Sequence, residues 1–108
     1  MLFRSQGKGE RFSPTDLIAT GLGACMITTM GIKAASMSIA LDGAKVEVTK
    51  IMKADPRRIG KIIAHLTMPS GLNLDEKTKE ILERVARTCP VERSLHPDVE
   101  LDIAFNWG

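Results

Sequence analysis

The longest uncharged stretch of the chain, residues 17–32 (LIATGLGACMITTMGI), carries apolar residues at every helical phase. Ile18, Gly21, Leu22, Cys25, Thr29 and Ile32 share one face at helical spacing, and Leu17, Ala19, Ala24, Met26 and Met30 make the other faces apolar as well. The pattern predicts a helix buried on several sides. Its start is written just upstream. Ser13 is a natural N-cap, Pro14 suits the first helical position, and Asp16 falls in the first turn, where its charge complements the helix dipole. The helix is expected to run to about residue 36. Gly21 and Gly23 weaken it intrinsically and allow another backbone or side chain to come close.

After the Asp42-Gly43 turn the period changes from helical to two. Residues 44–54 alternate, with Val46, Val48 and Ile51 or Met52 set against Lys45, Glu47 and Lys50, which is the mark of a half-buried strand. Asp55-Pro56 breaks it. Residues 59–68 form a second strand, with Ile62, Ala64, Leu66 and Met68 on one face and Lys61, Ile63, His65 and Thr67 on the other. The short basic turn between the two predicts an antiparallel hairpin, ended by Pro69-Ser70-Gly71.

Asn73, with Glu76 completing a capping box, is expected to open a second helix whose apolar stripe is Ile81, Leu82, Val85, Ala86 and Cys89. Pro90 stops that helix at or before Cys89, residues 91–95 add one more turn, and the alternation of Val99, Leu101, Ile103 and Phe105 reads as a final strand. The order helix, strand, strand, helix, strand gives an α+β fold with helices packed on an antiparallel sheet. Residues 1–12, with Gly7 and Gly9 among polar neighbours, read as a loop or a short strand remnant.

Composition excludes more than it identifies. A chain of 108 residues is expected to be one domain, residues 1–108. The net charge of +2 is too small for a nucleic-acid surface, and Lys50, Lys53, Arg57, Arg58 and Lys61 read as the solvated ends of two strands. No Tyr is present, and Phe3, Phe12, Phe105 and Trp107 do not interleave with the basic residues, which argues against a stacking platform for bases. The residues after Met1 turn polar without an apolar signal core, and the uncharged run is shorter than a membrane span. The expectation is a cytoplasmic protein with neither nucleic acid nor membrane as partner. In that reducing compartment a permanent disulfide is disfavoured. No cofactor is expected. His65 and His96 accompany the two cysteines at spacings that match no zinc pattern, and the six methionines read as core filler.

The two cysteines stand in contrasting contexts. Cys25 lies in the uncharged helix, in what should be the core. Cys89 ends a charged amphipathic helix directly before a proline, where the helix dipole disfavours an anion. Three readings stay open on these residues alone: two buried core cysteines, a static disulfide, or a pair that exchanges electrons.

The motifs around both cysteines resemble the OsmC/Ohr family of thiol-dependent peroxidases. Ser13, Pro14, Asp16, Leu17, Ala24 and Cys25 match its first helix, with the cysteine eleven positions after the proline. Asp42-Gly43 and Val46-Glu47-Val48 match the turn and strand that follow, and Cys89-Pro90-Val91 matches its second cysteine motif. The glutamate that follows the proline in the Ohr branch is Thr15 here, with Asp16 next to it. Family members carry several strands before this helix, which supply an arginine; only twelve residues precede Ser13, so those strands are expected to be missing, and Arg4 and Arg11 are the nearby candidates.

The resemblance implies a homodimer that reduces organic hydroperoxides. Cys25 would attack the peroxide, Arg11 or an arginine from the partner subunit would stabilise its thiolate, and Asp16 would stand for the acidic residue that holds the guanidinium. Cys89 would resolve the Cys25 sulfenic acid as a disulfide, and an external dithiol would reopen it. An apolar lining of Leu22, Met26, Met30 and Val85 would favour organic peroxides. The alternative is an OsmC-like dimeric module without peroxidase activity that binds a small hydrophobic ligand.

Overall fold

The computed structural model describes residues 13–107. Six elements follow one another: α1 (Pro14–Ser36), β1 (Lys45–Lys53), β2 (Arg58–Thr67), α2 (Glu76–Ala86), α3 (Pro90–Ser94) and β3 (Glu100–Asn106). The α+β class is as the sequence pattern implies, with helices on one face of a three-stranded sheet.

The start of α1 is a reciprocal capping box. The Asp16 N–H donates to Ser13 Oγ at 3.3 Å, and the Ser13 N–H donates to Asp16 Oδ2 at 3.1 Å, so two main-chain donors that the helix cannot satisfy are both paired. The helix buries a single stripe, Ala19, Leu22, Gly23, Met26, Met30 and Ala34. Gly23 is where it lies closest to the sheet, since a Cβ there would sit 2.8 Å from Val48 Cγ1 and 3.1 Å from Val46 Cγ2. Burial on several sides is not what the structure shows. Leu17, Ile18 and Ile32 are 52%, 45% and 69% exposed, because the sheet and α2 cover only one side of the helix. By length and composition α1 could cross a membrane; here its buried stripe is the centre of the core.

The strand order is β1-β2-β3. The β1–β2 hairpin is antiparallel, with Lys45 opposite Thr67 and a register irregularity between Ile51 and Met52. β3 joins β2 in parallel, pairing Leu101 with Ile62 and Phe105 with Leu66, so the sheet is mixed where an antiparallel one was expected. The connection from β2 to β3 carries α2 and α3 over the sheet. Such a helical crossover returns the chain to the end where β2 began. Trp107 Nε1 donates to Glu83 Oε2 at 2.7 Å, tying the end of β3 to α2.

The cap of α2 is Asp75, whose Oδ1 accepts the Thr78 N–H at 2.8 Å. The expected Asn73–Glu76 box does not form. Asn73 lies at φ 52°, in the left-handed region that asparagine tolerates, and serves the turn before the helix. The core gathers Leu22, Met26, Met30, Ile62, Ala64, Leu66, Leu82, Ala86 and Cys89, all fully shielded from solvent. On the far face of the sheet His65 is exposed, and Lys61 bridges Glu100 and Asp102 at 3.3 and 3.9 Å.

Candidate functional site

Cys89 sits at a helix start. Pro90 has no N–H to continue α2, so the chain begins α3 afresh with Cys89 as its N-cap in an extended conformation. Cys89 Sγ accepts the Glu92 N–H at 3.4 Å. The expectation that the sulfur would face the negative end of α2 is corrected: α2 ends at Ala86, and the sulfur caps the first turn of α3. The thiol is nonetheless held above its ordinary pKa. Burial is the main cause, the Glu92 N–H opposes it, and the Cys25 thiol adds to it.

Cys25, on α1, is close enough to Cys89 to help raise its thiol, and both thiols are free. The tertiary fold thus brings together two sulfurs that lie sixty-four positions apart in the sequence. The burial of Cys25 differs from the expectation of a core residue. Cys89 is fully buried, whereas Cys25 is only half-buried, because it lies off the stripe that α1 presents to the sheet.

Leu17, Ile18 and Gly21 of α1 face Pro90, Val91, Ser94 and Leu95 across an open apolar groove of about 490 Å³. Gly21 is one turn before Cys25, and Pro90 directly follows Cys89, so the groove is lined by chain neighbours of both cysteines, though by neither cysteine itself. Of the apolar residues expected to line the site, Leu22, Met26 and Met30 are fully buried core and Val85 is half-buried, and none of the four lines this groove.

Asp16 lies nine residues before Cys25, roughly 13 Å along the helix axis. Its Oδ1 is 3.0 Å from Lys50 Nζ, and Lys50 also donates to Ser13 Oγ at 2.7 Å and to Thr15 Oγ1. The Lys50 hydrogen bond is the first cause, and the Ser13 N–H the second, that hold the Asp16 carboxyl below its usual range. Sequence reasoning missed this lysine by setting Lys50 on the outer face of β1. It follows Val46 and Val48 at period two on the inward face, its side chain is 17% exposed, and Ile51 points outward instead. The strand period carried the signal, and the lysine's charge hid it.

Arg11 lies outside the described residues, as do the candidate Arg4 and the loop or strand remnant at residues 1–12. Among the described residues, Arg87 and Arg93 are the cations closest in sequence to Cys89. Arg87 pairs with the Glu92 carboxylate through Nε at 2.9 Å and a terminal nitrogen at 3.4 Å, and Arg93 Nε donates to the Thr88 carbonyl at 3.4 Å. The histidines do not join the thiols. His65 faces away from the helices, and His96 Nδ1 accepts the Asp98 N–H at 3.0 Å. Among the described residues no group of His, Cys, Asp and Glu is arranged to hold a metal.

With both cysteine motifs placed at one point of an α+β scaffold, the relationship is decided by residues 7–104, which match the sequence family described as OsmC-like protein. The chain belongs to the OsmC-like family. A crystal structure from Psychrobacter arcticus, described as an osmotic stress induced and detoxification response protein, is 48% identical with a TM-score of 0.84, over 94% of this chain and 73% of that one. An organic hydroperoxide resistance protein OsmC from Legionella pneumophila is 20% identical with a TM-score of 0.73, over 94% and 74% of the two chains. The organic hydroperoxide resistance protein OhrB of Bacillus subtilis is 20% identical with a TM-score of 0.70, over 89% and 71%. These last two show that this OsmC-like chain shares their fold. No curated protein matches the sequence.

Proposed function

We propose that this OsmC-like protein is a thiol-dependent peroxidase for organic hydroperoxides. The observation that carries the reading is the nearness of two free thiols, one half-buried and one fully buried, on the elements that also line an apolar groove. The more accessible Cys25 is the attacking sulfur. Its thiolate attacks the distal oxygen of the hydroperoxide, the O–O bond breaks, and the alcohol leaves with a proton. The Cys25 sulfenic acid condenses with Cys89 to a disulfide and water, and an external dithiol restores both thiols by exchange.

In this reading the groove, one helical turn from Cys25 at Gly21, gives an organic substituent an apolar bed. In this reading the thiolate draws on a guanidinium from Arg11 or from the partner subunit of a homodimer. Lys50 already occupies Asp16, which leaves that carboxylate as the anchor of the helix start. The exposed Leu17, Ile18 and Ile32 supply an apolar surface on α1 for the second protomer. The reading also places the protein in the reducing cytoplasm, where an external dithiol is available.

The test is to mix the reduced protein with one equivalent of tert-butyl hydroperoxide and follow its mass. The expected product is an intramolecular Cys25–Cys89 disulfide, and Cys25→Ser should abolish peroxide consumption. An unchanged mass, or full turnover by the Cys25→Ser variant, would remove the peroxidase reading. A second reading, a dimeric module that binds a small hydrophobic ligand without turnover, is favoured by one observation. Thr15 and Asp16 are both taken up by Lys50, so the helix start has no acid facing the thiols. That reading expects a ligand retained in native mass spectrometry and thiols inert to the peroxide.

A further inference from the structure

The Arg87–Glu92 ion pair is used by neither the fold's core nor the reaction steps above. Arg87 is two residues before Cys89, and Glu92 is three residues after it. The pair therefore clasps the bend between α2 and α3 with Cys89 at its apex. α3 is five residues long and buries none of them fully, so the core gives it little grip. Two-point pairing of a guanidinium with a carboxylate fixes orientation as well as distance. Here the carboxylate side chain is only 19% exposed and the arginine 43%.

We propose that Arg87 is a positioning residue for the second thiol: it holds the Glu92 carboxylate, so that the turn presents Cys89 to Cys25 and the negative charge beside the sulfur stays balanced. This rests on the peroxidase reading. Glu92 acts on Cys89 in two opposed ways. Its main-chain N–H reaches the sulfur and favours a thiolate, while its carboxylate disfavours one. The other titratable group acting on Cys89 is Cys25 from α1. Arg87, reaching over from the end of α2, offsets the unfavourable half of Glu92 and leaves the favourable half in place.

The step affected is resolution. The Cys89 thiolate attacks the sulfur of the Cys25 sulfenic acid, the S–S bond forms and the S–O bond breaks. The departing hydroxide takes up the proton that Cys89 released, giving water. The two electrons come from Cys89 and restore nothing to the hydroperoxide, which was already reduced to alcohol by Cys25 in the preceding step.

The experiment compares the wild type with Arg87→Met, Glu92→Gln and the double variant. Each reduced protein is mixed with tert-butyl hydroperoxide; sulfenic acid is trapped with a dione reagent and disulfide is read by mass from pH ~6 to ~9. Arg87→Met should leave the rate of Cys25 oxidation within about twofold. It should slow disulfide formation about tenfold near neutral pH and move its pH profile upward, because less of Cys89 is thiolate. Glu92→Gln in the Arg87→Met background should bring the pH profile back to its wild-type position and recover part of the rate, which a purely structural clasp would not do. The same profile is read without peroxide by loading Cys25 with an aromatic disulfide reagent and timing the attack of Cys89. A wild type inert to peroxide but sensitive to Arg87→Met in this second assay rejects the peroxidase reading and keeps the clasp. An Arg87→Met protein with the wild-type profile in the second assay, or a double variant as slow as Arg87→Met, overturns the proposal.

Discussion

Gly23→Ala and Gly31→Ala, two substitutions in one helix, should move stability in opposite directions. Both replace the poorest ordinary helix former with the best, a gain of about 0.8–1 kcal/mol in an α-helix interior. A Cβ on Gly31 meets nothing within 4 Å, so that gain should be expressed. A Cβ on Gly23 would lie 2.8 Å from Val48 Cγ1 and 3.1 Å from Val46 Cγ2. Valine on a strand has one stiff side-chain torsion and cannot swing clear, so helix and sheet must part, and overpacking of this kind costs about 1–3 kcal/mol. The two variants should therefore differ by about 1–3 kcal/mol. At about 4–8 °C per kcal/mol for a small domain, their Tm values should separate by at least about 4 °C, with Gly31→Ala the higher. Urea unfolding at matched protein concentration checks the free energy, and alkylation of Cys25, two residues beyond Gly23, checks whether the helix has moved. A Gly23→Ala protein as stable as Gly31→Ala, with an unchanged Cys25 rate, would refute the close contact between α1 and β1.

Other consequences follow from the same geometry. Cys89, fully buried and with its thiol raised chiefly by burial, should be alkylated far more slowly than Cys25 in the native reduced protein, and at equal rates after unfolding. Because its folded pKa lies above the unfolded one, its contribution to stability is present at neutral pH and is lost as the pH rises past the unfolded thiol pKa toward the folded one; Cys89→Ala should flatten that alkaline fall. Asp16 has the opposite sign. Its folded pKa lies below the ordinary 3.8, so its stabilisation is present above that value and is lost as the pH falls through the lower folded one; Lys50→Met should weaken this acid dependence in urea titrations at pH ~2–5. Ser13→Ala, which removes one half of the capping box, should cost about 1 kcal/mol in the same assay. If α1 is a dimer face, Ile18→Lys should lower the sedimentation coefficient while far-ultraviolet circular dichroism stays unchanged.

The local periods were enough to place the elements. Ser13 and Pro14 start α1, the alternation of Ile62, Ala64, Leu66 and Met68 marks the buried face of β2, and Pro90 divides α2 from α3. Those signals are short-range sterics and hydrogen bonding, which act within a few residues and so leave their mark on the sequence itself. The motifs around Cys25 and Cys89 also gave the family, because each spacing is fixed within a single element.

What required the tertiary structure was everything set by which faces meet. The parallel entry of β3 depends on where a helical crossover returns the chain, and no local pattern in residues 100–106 encodes it. The union of Lys50 with Asp16 joins positions thirty-four apart, and their complementary charges say nothing of their distance until β1 lies along α1. The unequal burial of the two cysteines has the same origin. Both occupy apolar phases of their helices, yet only packing decides that α1 turns Cys25 toward the rim while the α2–α3 bend drives Cys89 into the core, since burial belongs to pairs of surfaces and not to single segments.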